Sequence, residues 1–253
     1  YDGAGRVTTA AFYVNGVEKF STTTTYGGDR VNVNPPDGAT ATTTISDARG
    51  RTTELRQYTG GAPTGSYDAT TYTYYPAGQL DTVTDTMGNR WTYGYDLRGR
   101  KISSTDPDSG TSEFSYDDAD QLTTSEDSRG VTLAHAYDGL GRKTAVHDGS
   151  LAGFKRAEWV YDTIPGAKGK LASSTRFVGT SAYRSAVTGY DEAYRPTGSS
   201  VTIPAVEGPL AGTYNYSMAY NVDGSLRSLS RPAAGGLFAE TLTLAYDPRG
   251  LPR

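Results

Sequence analysis

The sequence opens with YDGAGR, and relatives of that phrase return as YDLRGR at 95–100 and YDGLGR at 137–142. A reactive site needs its groups once, so recurrence of this kind points to architecture, and the internal period has to be read before any local feature. Taking the tyrosine as the anchor, copies begin at Tyr75, Tyr95, Tyr116, Tyr137, Tyr161, Tyr190, Tyr220 and Tyr246, at intervals of 20, 21, 21, 24, 29, 30 and 26 residues. Tyr1 starts a further copy, YGGDRV at Tyr26 is one residue short, and SDARGR at Ser46 keeps the ending without the tyrosine, about eleven copies in all.

Each copy carries two turn signals. From Tyr95 onward, 96–99 is one Asp/Gly cluster and 106–110 the next, and the arrangement recurs at Asp117 and Asp127 and at Asp138 and Asp148. Aspartate starts a turn by accepting a hydrogen bond from backbone two residues on, and glycine supplies the positive φ that closes it. Two turns per unit leave strands of about 5 to 7 residues, roughly 20 of them over the chain. The residues between turns are mostly Thr, Tyr and Val, which suit a pleated, half-buried surface, and no helical periodicity competes.

The fold class expected is therefore all-β, an antiparallel ribbon of hairpins that occupies residues 1–253 as a single repeat segment, a piece of a longer array. Its repeat positions are Tyr1, Asp2, Gly5 and Arg6; Tyr95, Asp96, Gly99 and Arg100; Tyr116 and Asp117; Tyr137, Asp138, Gly141 and Arg142; Tyr161 and Asp162; Tyr190 and Asp191; Tyr220; and Tyr246, Asp247 and Gly250. Two residues before the anchors stand Tyr93, Phe114, His135, Trp159, Met218 and Leu244, which a strand places on the tyrosine's own face as a bulky ladder.

Composition narrows the function classes. A net charge of -4 and a pI near 5.2 give no basic field for nucleic acid. With no cysteine, disulfide frameworks and thiolate chemistry are excluded. No apolar run approaches the roughly 18 residues of a membrane span. The 20 tyrosines stand against 6 phenylalanines and 2 tryptophans, so the aromatic content is apolar along the ring and polar at the tip.

The phrase YDxxGR followed by strand, Asp/Gly turn and strand resembles the YD repeat of Rhs proteins, of the shell-forming C components of insecticidal Tc toxins, and of animal teneurins. Wording such as DARGRTTELRQY and YDLRGRK is similar to secreted Rhs-repeat proteins of actinobacteria. The resemblance implies a long ribbon spiralling into a hollow shell, secreted or associated with the cell surface, that encapsulates or presents a C-terminal toxin. Its partners would be the remainder of its own longer chain and an enclosed toxin domain. A second class is an extracellular adhesion or carbohydrate-binding module that uses exposed tyrosines as stacking surfaces.

Enzymatic candidates are weak beside the repeat. His135 occupies the register of Tyr93, Phe114 and Trp159, which makes it a ladder residue before it is a base, and His147 precedes a turn aspartate and reads as a surface residue. The acidic runs DDAD at 117–120 and DPDSG at 106–110 have carboxylates that calcium or a glycosidase would use, yet each falls where the repeat needs a turn former. Gly followed by Arg in YDxxGR opens no helix, so it carries little as a phosphate cradle. Rhs proteins carry a phrase related to DPRGL, here 247–251, where aspartates cut the toxin free, but Asp247 is already the D of the last unit. Catalytic residues, cofactors and metals are expected to be none. The longer units after Tyr137, with DTIPGAKGK at 162–170 and the Pro/Gly loop between Tyr190 and Tyr220, are where binding loops would be added.

Overall fold

The strands follow the punctuation of the repeat. A computed structural model describes all 253 residues, in two compact units: Tyr1–Phe114 with Asp127–Arg129, and Ser115–Glu126 with Gly130–Arg253. The first unit contains β1 (Thr9–Val14), β2 (Val17–Tyr26), β3 (Arg30–Asn34), β4 (Thr42–Ser46), β5 (Thr52–Tyr58), β6 (Tyr67–Tyr74), β7 (Leu80–Thr84), β8 (Arg90–Tyr95) and β9 (Lys101–Asp106), and the boundary between the units falls within β10 (Gly110–Tyr116), after Phe114. The second contains β11 (Leu122–Glu126), β12 (Thr132–Tyr137), β13 (Lys143–Asp148), β14 (Lys155–Tyr161), β15 (Leu171–Val178), β16 (Ser181–Tyr190), β17 (Pro196–Ile203), β18 (Gly212–Tyr220), β19 (Leu226–Arg231) and β20 (Glu240–Thr243). One irregular 3-10 segment, Ala205–Leu210, interrupts the pattern, in the Pro/Gly loop. The all-β, antiparallel expectation holds, with strands of 4 to 10 residues.

Within each unit a strand pairs antiparallel with its successor in sequence, as β5 does with β6 and β14 with β15. A β-bulge recurs beside the anchor tyrosine. Gly94 faces Ser103 and Tyr95 faces Lys101, so Ile102 is the extra residue, and the same skip follows Thr73, Ala136, Val160 and Ala219. Because the extra residue lies in the strand after the turn, the strand before it alternates without interruption, and Tyr93 and Tyr95 share a face.

The two faces of each unit carry different side chains. Directly opposed residues of an antiparallel pair share a face. In the first unit Thr43, Arg56 and Ala69 are linked in this way on one face, and Tyr72, Val83 and Trp91 on the other. In the second, Ala136, Ala145 and Glu158 lie opposite the face of His135, Val146 and Ala157. The buried apolar residues are Ala41, Tyr58, Ala134, Ala145, Ala167, Ala172 and Ala186, and only Tyr58 among them is large. Thr43, 2% exposed, donates to Asn32 Oδ1 at 2.7 Å and accepts from the Tyr58 hydroxyl at 2.9 Å.

Within each unit the strands pack edge to edge with their neighbours in sequence, without a second layer over either face. The accessible surface is 16143 Å², whereas a compact chain of this mass exposes about 11,000 Å². The strands are therefore held less by a packed core than by backbone ladders and by the side chains that tie one hairpin to the next.

Candidate functional site

The recurring turn is the constellation that the sequence singles out, and it is built the same way each time. At Asp47 the carboxylate Oδ1 accepts from the backbone amides of Arg49 and Arg51 at 2.8 and 3.0 Å, while Oδ2 takes the Arg51 guanidinium at 2.6 Å. The Gly50 amide donates to the Asp47 carbonyl and the Asp47 amide to the Arg51 carbonyl, both at 2.9 Å, with Gly50 at φ 77°. This is a type I turn closed by a left-handed residue, the three-residue hairpin loop with a bulge. Asp2 with Arg6, Asp96 with Arg100, Asp138 with Arg142 and Asp191 with Arg195 repeat it.

Arginine bonding holds these carboxyls below the ordinary carboxylate value. The Arg6 and Arg51 side chains are the largest cause at Asp2 and Asp47, and the backbone amides of Arg142 and Arg195 at Asp138 and Asp191. At the other ends of the strands, Asp85 makes the same turn with Asn89 in the arginine's place, and Asp106 accepts from the amides of Asp108 and Ser109 and from Trp91 Nε1 at 2.8 Å.

The arginine and the next tyrosine join consecutive units. Arg6 lies 4.1 Å from the ring centroid of Tyr26, Arg51 4.5 Å from Tyr74, Arg142 4.4 Å from Tyr161 and Arg195 4.6 Å from Tyr220. Each of those tyrosines donates its hydroxyl to the carbonyl of the residue just after the arginine: Val7, Thr52, Lys143 and Pro196, at 2.7 to 3.2 Å. Aspartate, arginine and tyrosine thus form a clasp from one turn to the next, in which a cation sits on a ring and the ring's polar tip closes on backbone.

Two features of the clasp escape a reading by motif alone. The anchor of the fourth unit is Tyr74 rather than Tyr75, since Tyr74 meets Arg51 and the Thr52 carbonyl. Tyr75 stands in the aspartate position: its amide donates to the Gln79 carbonyl and its carbonyl accepts from Gly78. The doubled tyrosine hid this, although the corrected start restores a spacing of 21 residues to Tyr95.

The second feature is an alternation. From the Asp47 turn to the Asn221 turn the closing residue is Arg51, Gln79, Arg100, Gln121, Arg142, Lys170, Arg195 and Ser225, and the non-arginine members are each followed by leucine, at Leu80, Leu122, Leu171 and Leu226, whereas the last turn, at Asp247, closes on Leu251. The arginine reaches into the following turn: Arg142 contacts Asp162 at 2.5 Å and Arg195 the Asn221 carbonyl at 3.4 Å. That turn closes without a second guanidinium. Tyr74, Tyr161 and Tyr220, each beneath an arginine, face Leu80, Leu171 and Leu226 across their own hairpins, whereas Tyr95 and Tyr137 face Lys101 and Lys143.

The remaining sequence candidates fall into the same scaffold. Tyr137, Tyr190 and Tyr246 donate to the carbonyls of Leu122, Leu171 and Leu226. Asp117 Oδ1 caps the amides of Ala119 and Gln121, with Asp120 at φ 63° in the glycine's place. Asp247 accepts from the amides of Arg249 and Leu251, so the DPRGL phrase is a turn of the same design, closed by Gly250 at φ 78°. Tyr1 is exposed. His147 differs from its expected surface setting: it is half-buried, with Nδ1 3.0 Å from the Gly153 carbonyl, because the wide loop after Asp148 folds back over it. His135 is half-buried beside Ser125. Onto the Pro/Gly loop, Tyr183 of β16 donates to Glu207 and Tyr214 of β18 to the Leu210 carbonyl at 3.0 Å, contacts that no repeat position announces.

A single-layer, all-β array of clasped hairpins is the class that these features define. The family model described as teneurin YD-shell matches residues 40–163. Among solved structures, TcdB2-TccC3 aligns over 92% of this chain and 14% of its own, at 13% identity and a TM-score of 0.66. The same complex without its hypervariable C-terminal region aligns over 96% and 15%, at 13% identity and a TM-score of 0.63. The Tc holotoxin pore of Photorhabdus luminescens aligns over 96% and 15%, at 12% identity and a TM-score of 0.61. No curated protein matches. The YD-shell pattern thus covers about half of the chain, and the repeat along the chain is of the Rhs/YD type. It spans about one seventh of the length of the solved chains it matches. No helix in it is long and apolar enough to cross a membrane.

Proposed function

We propose that this chain is a stretch of wall in a secreted or cell-surface Rhs/YD-repeat shell, without catalytic activity of its own, that encloses or presents a C-terminal toxin. The observation that carries this reading is the single layer itself: 16143 Å² of surface on a chain whose clasps spend their aspartates and arginines on joining hairpins. A wall needs stiffness in two directions. The backbone ladder supplies it across the strands, and the clasps supply it along the row of turns. The kinship with Tc complexes supports the shell, and the toxin rests on analogy of family. In this reading residues 1–253 are one segment of a longer array whose other repeats and cargo are its partners.

Intact mass and terminal sequencing of the native protein, followed by electron microscopy of the same sample, test the proposal. A much larger protein that forms hollow particles with internal density is the expected result. A stable 27 kDa particle with native ends at Tyr1 and Arg253 and no enclosed space would overturn it and turn the search to glycan arrays.

A further inference from the structure

The chain's two histidines, His135 and His147, lie on neighbouring strands of the second unit. His135 is on β12, at the ladder position that Tyr93 fills in the first unit, and shares its face with Val146 on β13. Its Nε2 lies 3.4 Å from Ser125 Oγ on β11, a hydroxyl that can either donate to the ring or accept from it. Its Nδ1 is buried and has no partner. The charged ring carries a proton on both nitrogens, so ionisation fixes a buried N–H at Nδ1 with nothing to accept it, on a ring already beside the Lys143 ammonium.

The acidic groups nearby are engaged elsewhere. Glu126 on β11 accepts from the Thr132 hydroxyl, whose strand position alternates to the opposite face from His135. Asp148 on β13 is held by Arg156 at 2.7 Å. Tyr137 follows on the same strand, with its ring 5.9 Å from the Lys143 ammonium and its hydroxyl on the Leu122 carbonyl. From β14 the same face receives Ala157 and Trp159, which carry no charge. The adjoining ladders leave little reserve. β11 and β12 register at three residue pairs, and β13 and β14 at three, with a shift at His147.

We infer that His135 makes β12 and the strands beside it an acid-sensitive segment of the sheet, ordered near neutral pH and loosened below about pH 6. Burial and Lys143 keep the folded-state imidazole below its ordinary value of 6.5. The unfolded chain therefore binds the proton first as pH falls, so stability is full above 6.5 and declines below it until the folded ring also titrates. This inference stands apart from the shell reading, since it concerns one segment of the sheet whatever that sheet encloses.

Hydrogen exchange of the full chain at pH 7.5 and pH 5.0, corrected for intrinsic rates, tests it. Amides of β12 and β13 are expected to lose at least about tenfold in protection relative to β17 and β18, which register at six pairs. His135→Phe and His135→Tyr, which restore ring types found at this register, should abolish the excess, and His147→Gln should leave it in place. Equal loss across the second unit would overturn the inference. So would an excess that persists in both His135 variants, or one that His147→Gln removes.

Discussion

Tyrosine rather than phenylalanine dominates this chain because the clasp uses both ends of the residue. The ring lies beneath an arginine, and the hydroxyl closes on the backbone carbonyl just after that arginine. Tyr220→Phe keeps the ring under Arg195 and removes the bond to Pro196, and we expect it to lower stability by about 1 kcal/mol, read from the urea midpoint. Arg142→Lys should shift the midpoint down as well, because an ammonium cannot serve Asp138, Asp162 and the Tyr161 ring together. The turn aspartates set the acid limit. Their folded-state carboxyls are held below the ordinary 3.8, so they stabilise the sheet above that value and the contribution is lost as pH falls through the lower folded ones. A circular dichroism titration should therefore show a cooperative loss of strand signal starting below about pH 4, and Asp138→Asn should weaken the fold at pH 7 while flattening its share of that loss.

At the scale of the element, the turn decides where each hairpin closes and what it can touch. Gly141, at φ 76°, also leaves room for Gln121 Nε2, which would stand 3.1 Å from an added Cβ. Gly141→Ala should cost about 1 to 2 kcal/mol, whereas Gly139→Ala, with open space around it, should be close to neutral by the same denaturation measurement. Tyr194 makes the converse case. It occupies the glycine position of the Asp191 turn at φ 59°, and Tyr194→Gly should raise stability by about 1 kcal/mol. The repeat is legible at this level: aspartate, glycine, the strand lengths and the bulky ladder all follow from local chemistry. The doubled Tyr74 and Tyr75 misled because either residue satisfies the pattern, and only contact with Arg51 distinguishes them.

For the whole molecule, the decisive quantity is surface left without a partner from its own sequence. β1 is exposed at all six positions, carries neither charge nor proline, and stacks Phe12 on Phe20 with centroids 5.1 Å apart. Such a strand is a template for pairing with another chain. The isolated 253-residue chain should therefore self-associate with rising concentration in sedimentation velocity, and Phe12→Lys should suppress this. A monomer at all concentrations would show that the hairpin of β1 and β2 is protected by other means.

By itself the sequence determined the all-β class, the hairpin period and the turn at each aspartate, because these rest on interactions that span five residues or fewer. The alternation of closing residues was also present in the letters, as arginine followed in the next unit by Gln79, Gln121, Lys170 or Ser225. Its meaning came only from the tertiary structure, which shows Arg142 at Asp162 and Arg195 at the Asn221 carbonyl, contacts across 20 and 26 residues. The setting of His135 was decided there too. A ladder position specifies bulk and face, whereas the partners of a buried ring nitrogen depend on which strands lie beside it, and no local pattern encodes that.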